Sequence, residues 1–286
     1  MKIAFTSCSK IQKYPVQKAW KYIEDENPDH LLLLGDNVYA PRKQEWDMEV
    51  LDSIYRMQLE EPNFARLIKN VDFNAIWDDH DFGANNAKGG EKNIKEELKK
   101  ASLELFYKHL GNRMFSSPSP DHVYHSFEKG NIKFIMLDVR YYRTKASNES
   151  PTILGAIQEV WLTQQLDHNK KFTVVCSGSC LTKGGERLDK YGEKYDSMVK
   201  LFKDRGNVIV LSGDIHKNRF IGTHDGFFEV ISSAVARNRG GLSRKSNNNY
   251  GIIEFTDDVI NVNLKGRKRK DNINKSIDVN TWSVIG

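Results

Sequence analysis

With 286 residues, 39% of them hydrophobic and 28% charged, the chain is long enough to bury a sizeable core, which excludes a miniature stapled scaffold. Lys plus Arg (43) against Asp plus Glu (38) gives a net charge of +5, short of the excess expected of a protein coated in nucleic acid. The excess is local: residues 237–270 hold nine Lys or Arg against Glu254, Asp257 and Asp258, which leaves the remainder near neutral. No run of about 18 apolar residues exists, and the opening stretch MKIAFTSCSK turns polar too soon for a signal peptide. A soluble protein without a transmembrane segment is expected. Cys8, Cys176 and Cys180 cannot all pair and lack zinc-ribbon spacing, which fits a reducing compartment, the cytoplasm.

In chain order, short apolar runs alternate with longer periodic ones: Ile3–Phe5 then Val16–Glu24, Leu31–Leu34 then Glu45–Leu67, Phe73–Trp77 then Asn93–Leu110. Strands alternating with helices predict a largely parallel, buried sheet. His122–Phe127 and Ile132–Leu137, separated by Glu-Lys-Gly-Asn, read as an antiparallel hairpin, and Gly155–Leu166 as a helix. Two further strands, Phe172–Cys176 and Val208–Leu211, flank a helical stretch at Tyr195–Lys203. Phe227–Ile231, Ile252–Phe255 and Val259–Leu264 suggest a terminal antiparallel meander. That is more strands than one open sheet handles, so the predicted fold class is α/β, with two packed mixed sheets and helices outside. No internal repeat interrupts the chain, and residues 1–286 read as one domain.

Four apolar runs end in clusters of potential metal ligands: Ser7-Cys8-Ser9, Gly35-Asp36-Asn37-Val38-Tyr39, Trp77-Asp78-Asp79-His80-Asp81 and Ser212-Gly213-Asp214-Ile215-His216. In open α/β sheets ligands bind beyond the carboxyl ends of the strands, so four such loops can meet around one site. A site holding Asp36, Asp79 and Asp214 repels itself unless cations neutralise it. Cys8, Tyr39 and His216 are soft or strongly donating, whereas Asp79 and Asp214 are hard oxygen donors, and Asp36 can bridge the two groups. A phenolate ligand at neutral pH needs a strong Lewis acid such as Fe(III), while the oxygen-rich half suits Ca²⁺, Mg²⁺ or Mn²⁺.

The pattern SCS, GDNVY, WDDHD, DVRYYR, LGAIQEVWL and SGDIH, followed by the strand-like Glu229–Ser233, resembles the alkaline phosphatase D (PhoD-like) family within the calcineurin-like metallophosphoesterase superfamily. The resemblance implies a four-layer α/β/β/α sandwich and a dinuclear phosphoric ester hydrolase that activates water for in-line attack on phosphorus. Carried over, Cys8, Asp36, Tyr39 and His216 would hold Fe(III). Asp36 would bridge to a second site of Asp79, Asp214 and the amide oxygen of Asn85 or Asn86, taking calcium or, in a cytoplasm, Mg²⁺ or Mn²⁺. His80 lies where relatives protonate or stabilise the leaving oxygen, and Arg140 of DVRYYR would clamp phosphate oxygens. Secreted members carry an export signal and an N-terminal sandwich domain, whereas this chain begins at the first catalytic strand.

The expected substrate is a phosphate ester, monoester or diester, phospholipid included. Nucleic acid enters only as substrate, and no dedicated protein partner is implied. The basic segment 237–270 is expected to attract substrate, with 237–249 as a lid over the site. The competing class is a catalytically silent module binding nucleic acid or a membrane surface through its basic end. Ordinary structural roles are expected for Cys176, Cys180, Trp77, Trp161, His122, His125 and His224, and a solvated helix face for Lys95–Lys100.

Overall fold

The alternating runs of the first third fold as β1 (Lys2–Thr6), α1 (Lys18–Asp25), β2 (His30–Leu34), α2 (Met48–Leu59), α3 (Pro62–Asn70) and β3 (Phe73–Ile76). The computed structural model describes residues 1–222, 226–238 and 245–285. The single helix anticipated over 45–67 is two helices, because Pro62 has no N–H to continue the ladder and instead opens α3. Glu61 caps that start by accepting from the Phe64 N–H (2.8 Å), as Asp47 caps α2 through the Val50 N–H (3.1 Å).

One helical turn, α4 (Asp79–Phe82), precedes α5 (Glu96–His109) and the anticipated hairpin of β4 (His125–Lys129) and β5 (Ile132–Met136). Then come α6 (Ala156–Leu166), β6 (Phe172–Ser177), α7 (Glu193–Arg205) and β7 (Val208–Ser212). The chain continues through β8 (Asn218–Gly222), β9 (Phe227–Ser232), β10 (Tyr250–Phe255), β11 (Val259–Lys265), β12 (Ile273–Asp278) and β13 (Ser283–Ile285).

The strands form two mixed sheets, ordered β13-β12-β11-β10-β1-β2-β3 and β4-β5-β6-β7-β9-β8. Within them β1, β2 and β3 run parallel, as do β5, β6, β7 and β9. The period of two along the second sheet sorts its side chains. Phe134, Met136, Val174, Cys176, Ile209 and Leu211 join the core shared with the first sheet, whereas Ile135, Val175, Val208 and Val210 pack with α6 and α7 residues such as Leu162 and Phe202. Trp20, Leu51, Tyr55, Phe64 and Phe106 of α1, α2, α3 and α5 complete the first sheet's core. The layers are therefore helix, sheet, sheet, helix.

One strand belongs elsewhere than anticipated. Phe227–Ile231 is not part of the terminal meander but lies in β9, parallel to β7 in the second sheet. All six β9 residues are buried, as a central strand requires, whereas β11 alternates and the true meander runs from β10 to β13. Strands β8, β12 and β13 carry too few apolar residues to announce themselves. Lys99 also departs from a solvated helix face: it is buried, paired with Glu96 (2.6 Å) and seated over the Tyr141 ring (4.4 Å). Among the described residues no helix is long and apolar enough to cross a membrane.

Candidate metal centre

Every parallel strand delivers a loop to the same end of the sandwich: 7–10 from β1, 35–39 from β2, 77–81 from β3, 138–140 from β5, 178–181 from β6, 213–216 from β7 and 233–237 from β9. Backbone bonds lace these loops together. Cys8 N donates to Gly35 O (3.2 Å), Ser9 N to Asp36 O (2.9 Å), Lys10 N to Ala236 O (3.0 Å) and Gly213 N to Gly178 O (3.2 Å). The approach is close enough to demand glycine. A Cβ on Gly213 would lie 2.6 Å from Ser7 Oγ, and one on Gly35, whose φ is +83°, would lie 2.6 Å from Asp78 Cβ.

Five predicted ligands occupy the left-handed backbone region: Cys8 (φ 63°), Asp36 (51°), Asn86 (58°), Asp214 (63°) and His216 (54°). Such values are uncommon outside glycine and cost free energy, so the laced loops are what hold the side chains in place. The result is two donor clusters sharing one residue. Atoms of Cys8, Asp36 and His216 lie within 4.8 Å of one another, and so do atoms of Asp36, Asp79 and His80. Tyr39 joins the first through its hydroxyl, which donates to Asp36 Oδ2 (2.5 Å), and Cys8 Sγ donates to the same oxygen (3.4 Å).

The electrostatics explain why protons sit there. Burial, then the neighbouring aspartates, push the Asp36 carboxyl far above its ordinary range, and burial with Asp36 does the same to the Cys8 thiol and the Tyr39 phenol. Burial, with Asp78 and Asp79, pushes Asp214 up to about 7. Burial also raises Asp79, but Arg140 and His80 outweigh it and hold that carboxyl at about 2. His80 is lowered to about 4 and His216 to about 3, both chiefly by burial, so both imidazoles are neutral at pH 7. A pocket that raises Asp36, Asp214, Cys8 and Tyr39 for want of positive charge, keeps Asp79 ionised and leaves its imidazoles unprotonated is suited to cations. The donor set of thiol, phenol, imidazole and carboxylates around Asp36 fits a metal pair, thiol and phenol on one side and carboxylate on the other.

Not every expected residue takes its expected place. Asp214 lines an adjoining cleft of about 450 Å³ with Lys183, Gly184, His216, Lys217 and Arg219, rather than joining either tight cluster. Asn86 meets Asp79 Oδ2 through its backbone N–H, with its side chain exposed. Neither ring nitrogen of His80 is hydrogen-bonded among the described residues, and the ring lies against Tyr39 (centroids 4.1 Å).

Arg140, expected as a phosphate clamp, is engaged within the chain. Its side chain is fully buried, with Nε donating to Asp78 Oδ1 (2.5 Å), Nη1 to Ala87 O (3.2 Å) and Glu186 Oε2 (3.3 Å), and Nη2 to Ser179 Oγ (3.0 Å). Arg143 extends the network to Ser179 (2.9 Å) and Tyr191 (2.8 Å). Asp138, two residues before Arg140, accepts from Trp77 Nε1 (2.7 Å) and the Arg140 N–H (2.8 Å), so these residues of DVRYYR brace the loops beside the site.

Two cations that the motifs did not single out stand at the mouth instead. The Arg237 guanidinium lies 4.2 Å over the Tyr39 ring and its Nε donates to His216 Nε2 (3.1 Å), while Lys10 Nζ lies 5.5 Å over the same ring. That His216 nitrogen is therefore unprotonated, the form a ligand needs. Ser233 bonds both Cys8 Sγ (3.2 Å) and the His216 N–H (3.1 Å). Arg237 and Ser233 follow β9 in Ser-Ser-Ala-Val-Ala-Arg, and their position after a buried strand was the available signal. Cys176 is core, Cys180 donates to Gly213 O (3.1 Å), and His125 is bonded to Asn74 (2.9 Å), all structural. Of the expected lid, 239–244 lie outside the described residues, as does His224.

Two mixed sheets flanked by helices are a fold that this chain shares with solved phosphatase structures. A dimetal phosphatase from Danio rerio superposes with a TM-score of 0.65 at 12% identity, over 96% of this chain and 98% of that one. The chain belongs to the PhoD-like phosphatase family, whose model matches residues 3–268. Alkaline phosphatase D of Bacillus subtilis (strain 168) is 25% identical over 300 residues, which cover 87% of this chain and 51% of that protein. The chain thus spans about half the length of that relative. The solved structure of PhoD superposes with a TM-score of 0.81 at 19% identity, covering 100% of this chain and 71% of that one. A purple acid phosphatase from yellow lupin (Lupinus luteus) seeds gives 0.56 at 11% identity, over 100% and 52%.

Proposed function

We propose that this chain is a metal-dependent phosphoric ester hydrolase, acting on monoesters or diesters through a dinuclear centre. The observation that carries the reading is Asp36, one carboxylate shared by two donor clusters at the ends of β1, β2, β3 and β7. Cys8, Asp36, Tyr39 and His216 would hold Fe(III). Asp36, Asp79 and Asp214, with Asn86 beside them, would hold Ca²⁺, Mg²⁺ or Mn²⁺. When bound, the pair supplies Lewis-acid polarisation of the phosphoryl group and a water activated for in-line attack.

The rest falls to the chain's own side chains. His80, neutral and with its ring nitrogens unengaged, is the group that would stabilise the leaving oxygen by donating a hydrogen bond, and would protonate it only where it carries its second proton. Arg237 and Lys10, on one flank of Tyr39, take the phosphate-holding role expected of Arg140. The braced loops fix these groups before substrate arrives, so little reorganisation remains for the reaction. Both sheets and both helix layers serve this one site, so we read the described residues as one catalytic unit. Three buried thiols, none joined to another, suit a reducing compartment, and we place the protein in the cytoplasm.

The test is Asp36→Asn. Turnover of p-nitrophenyl phosphate should fall at least about a thousandfold, several kcal/mol of barrier, and metal content should drop with it. Undiminished turnover by a folded Asp36→Asn protein would falsify the reading. Protein purified from iron-replete cells should also absorb visible light, as thiolate or phenolate on Fe(III) does; colourless, iron-free protein overturns the first metal assignment.

A further inference from the structure

The connection between β11 and β12 carries Arg267, Lys268, Arg269 and Lys270 in succession, an arrangement that repels itself and that a tight turn does not require. Its placement is not left to chance. Asn218, buried two residues past His216, donates from Nδ2 to the carbonyls of Lys265 (3.0 Å) and Asp271 (3.2 Å), while Ser232 Oγ donates to its Oδ1 (2.9 Å). Arg267 N donates to Asn247 O (2.7 Å), and Asn247 Nδ2 donates to His216 O (3.2 Å). A Cβ on Gly266 would stand 2.7 Å from Asn249 Oδ1, so the turn sits flush against the loop beneath it. Both ends of the basic turn are thus tied to the segment that presents His216.

The turn and that segment enclose a cleft of about 400 Å³ whose charged lining is Lys217, Arg219, Arg267, Lys268 and Lys270 against Asp271 alone. That volume is in the range of small-ligand pockets. Among the described residues, Arg219, Arg267, Lys268 and Lys270 form no ion pair. The cleft shares His216, Lys217 and Arg219 with the cleft that contains Asp214, so the two adjoin at the segment that presents His216. We infer that this cleft is a second anion subsite, and that the preferred substrates are phosphate esters carrying a second phosphate beside the one attacked. The inference rests on the hydrolase reading for its substrate half, and on the cleft alone for its anion-binding half.

Inorganic tripolyphosphate titrated into metal-stripped protein by calorimetry tests the cleft apart from catalysis. Saturable binding is expected, weakened at least about tenfold by Lys268→Glu with Lys270→Glu, because each reversal removes a charge-assisted contact and adds a repulsion. Lys69→Glu with Lys100→Glu makes the same change in net charge on α3 and α5 and should leave the affinity within about twofold. Equal weakening by both pairs, or by neither, overturns the subsite.

The substrate half is read in metal-loaded protein by comparing thymidine 5′-(p-nitrophenyl phosphate) with the same ester bearing a 3′-phosphate. The ratio of kcat/KM should favour the second phosphate by about tenfold and fall toward one in the Lys268→Glu, Lys270→Glu protein. A ratio near one in the native protein overturns the substrate assignment. Tripolyphosphate binding with no ester turned over would support the anion site and sink the hydrolase reading. Turnover of p-nitrophenyl phosphate with tripolyphosphate binding unchanged by the variants would do the reverse.

Discussion

Asp78 and Asp79 are adjacent in sequence and both buried, yet they belong to opposite electrostatic regimes. Asp78 faces Arg140 (2.5 Å) and Ser179 and is answered from within the chain, while Arg143 and Glu186 close that network around it. Asp79 faces Asp36, the Asn86 N–H and His80 and is lowered by the Arg140 charge, whereas burial and neighbouring aspartates raise the carboxyls of Asp36 and, in the adjoining cleft, Asp214. The first region is an internal salt-bridge network, although Asp78 Oδ2 has no hydrogen-bond partner among the described residues and burial still raises that carboxyl. The second, where Asp36 and Asp214 keep raised carboxyls, is where the cations of the proposed function would sit. The difference teaches that burying acids is a structural device where an arginine bonds them directly, and under the proposed function a binding device where none does.

Removing the internal answer should therefore cost stability. Arg140→Met leaves Asp78 buried and unpaired and should destabilise the fold by about 3–5 kcal/mol in urea unfolding, with Arg140→Met, Asp78→Asn recovering part of the loss. Near-normal stability with collapsed turnover would restore Arg140 to the phosphate-binding role.

The metal cluster should respond to pH in the opposite manner to a paired network. Burial and neighbouring acids raise Asp36, Asp214, Cys8 and Tyr39; Cys8, Tyr39 and Asp214, the last raised to about 7, hold protons at pH 6 that a cation must displace. Affinity should rise with pH, by about tenfold per unit for each proton displaced, hence at least about a hundredfold between pH 6 and 8. Calorimetric titration of Mn²⁺ into metal-stripped protein, in two buffers of different ionisation enthalpy, counts the protons; a pH-independent affinity would place the ligands elsewhere.

A smaller effect separates the cations at the mouth from those of the brace. Arg237→Ala should raise KM for p-nitrophenyl phosphate about fivefold while leaving urea stability within about 1 kcal/mol, and Arg237→Lys should restore part of the affinity. Lost stability with unchanged KM would move Arg237 into the structural class.

Much of this was legible from the chain alone because strand-end chemistry is local. Ser-Cys-Ser, Gly-Asp-Asn-Val-Tyr and Ser-Gly-Asp-Ile-His follow continuous apolar runs, and the alternation of strands and helices required their ends to meet. The role of DVRYYR was not legible. An arginine after a strand looks the same whether it points into a cleft or under it, and only the packing of Trp77, Asp138 and Ser179 around Arg140 decides. Arg237 was expected within a lid over the site, but its contacts with His216 and the Tyr39 ring were not legible, because they depend on β9 lying beside β7 rather than in the terminal meander.

Sequence by itself determined the strand-end ligand clusters, the need for positive charge among Asp36, Asp79 and Asp214, and the concentration of basic residues near the C-terminal end. These are properties of residue type and spacing. Tertiary structure decided which buried acid received an arginine, which cations reached the mouth, and where the basic turn lay. Those depend on contacts between loops far apart in sequence, such as Asn218 with Lys265 and Asp78 with Arg140, and no local periodicity records them.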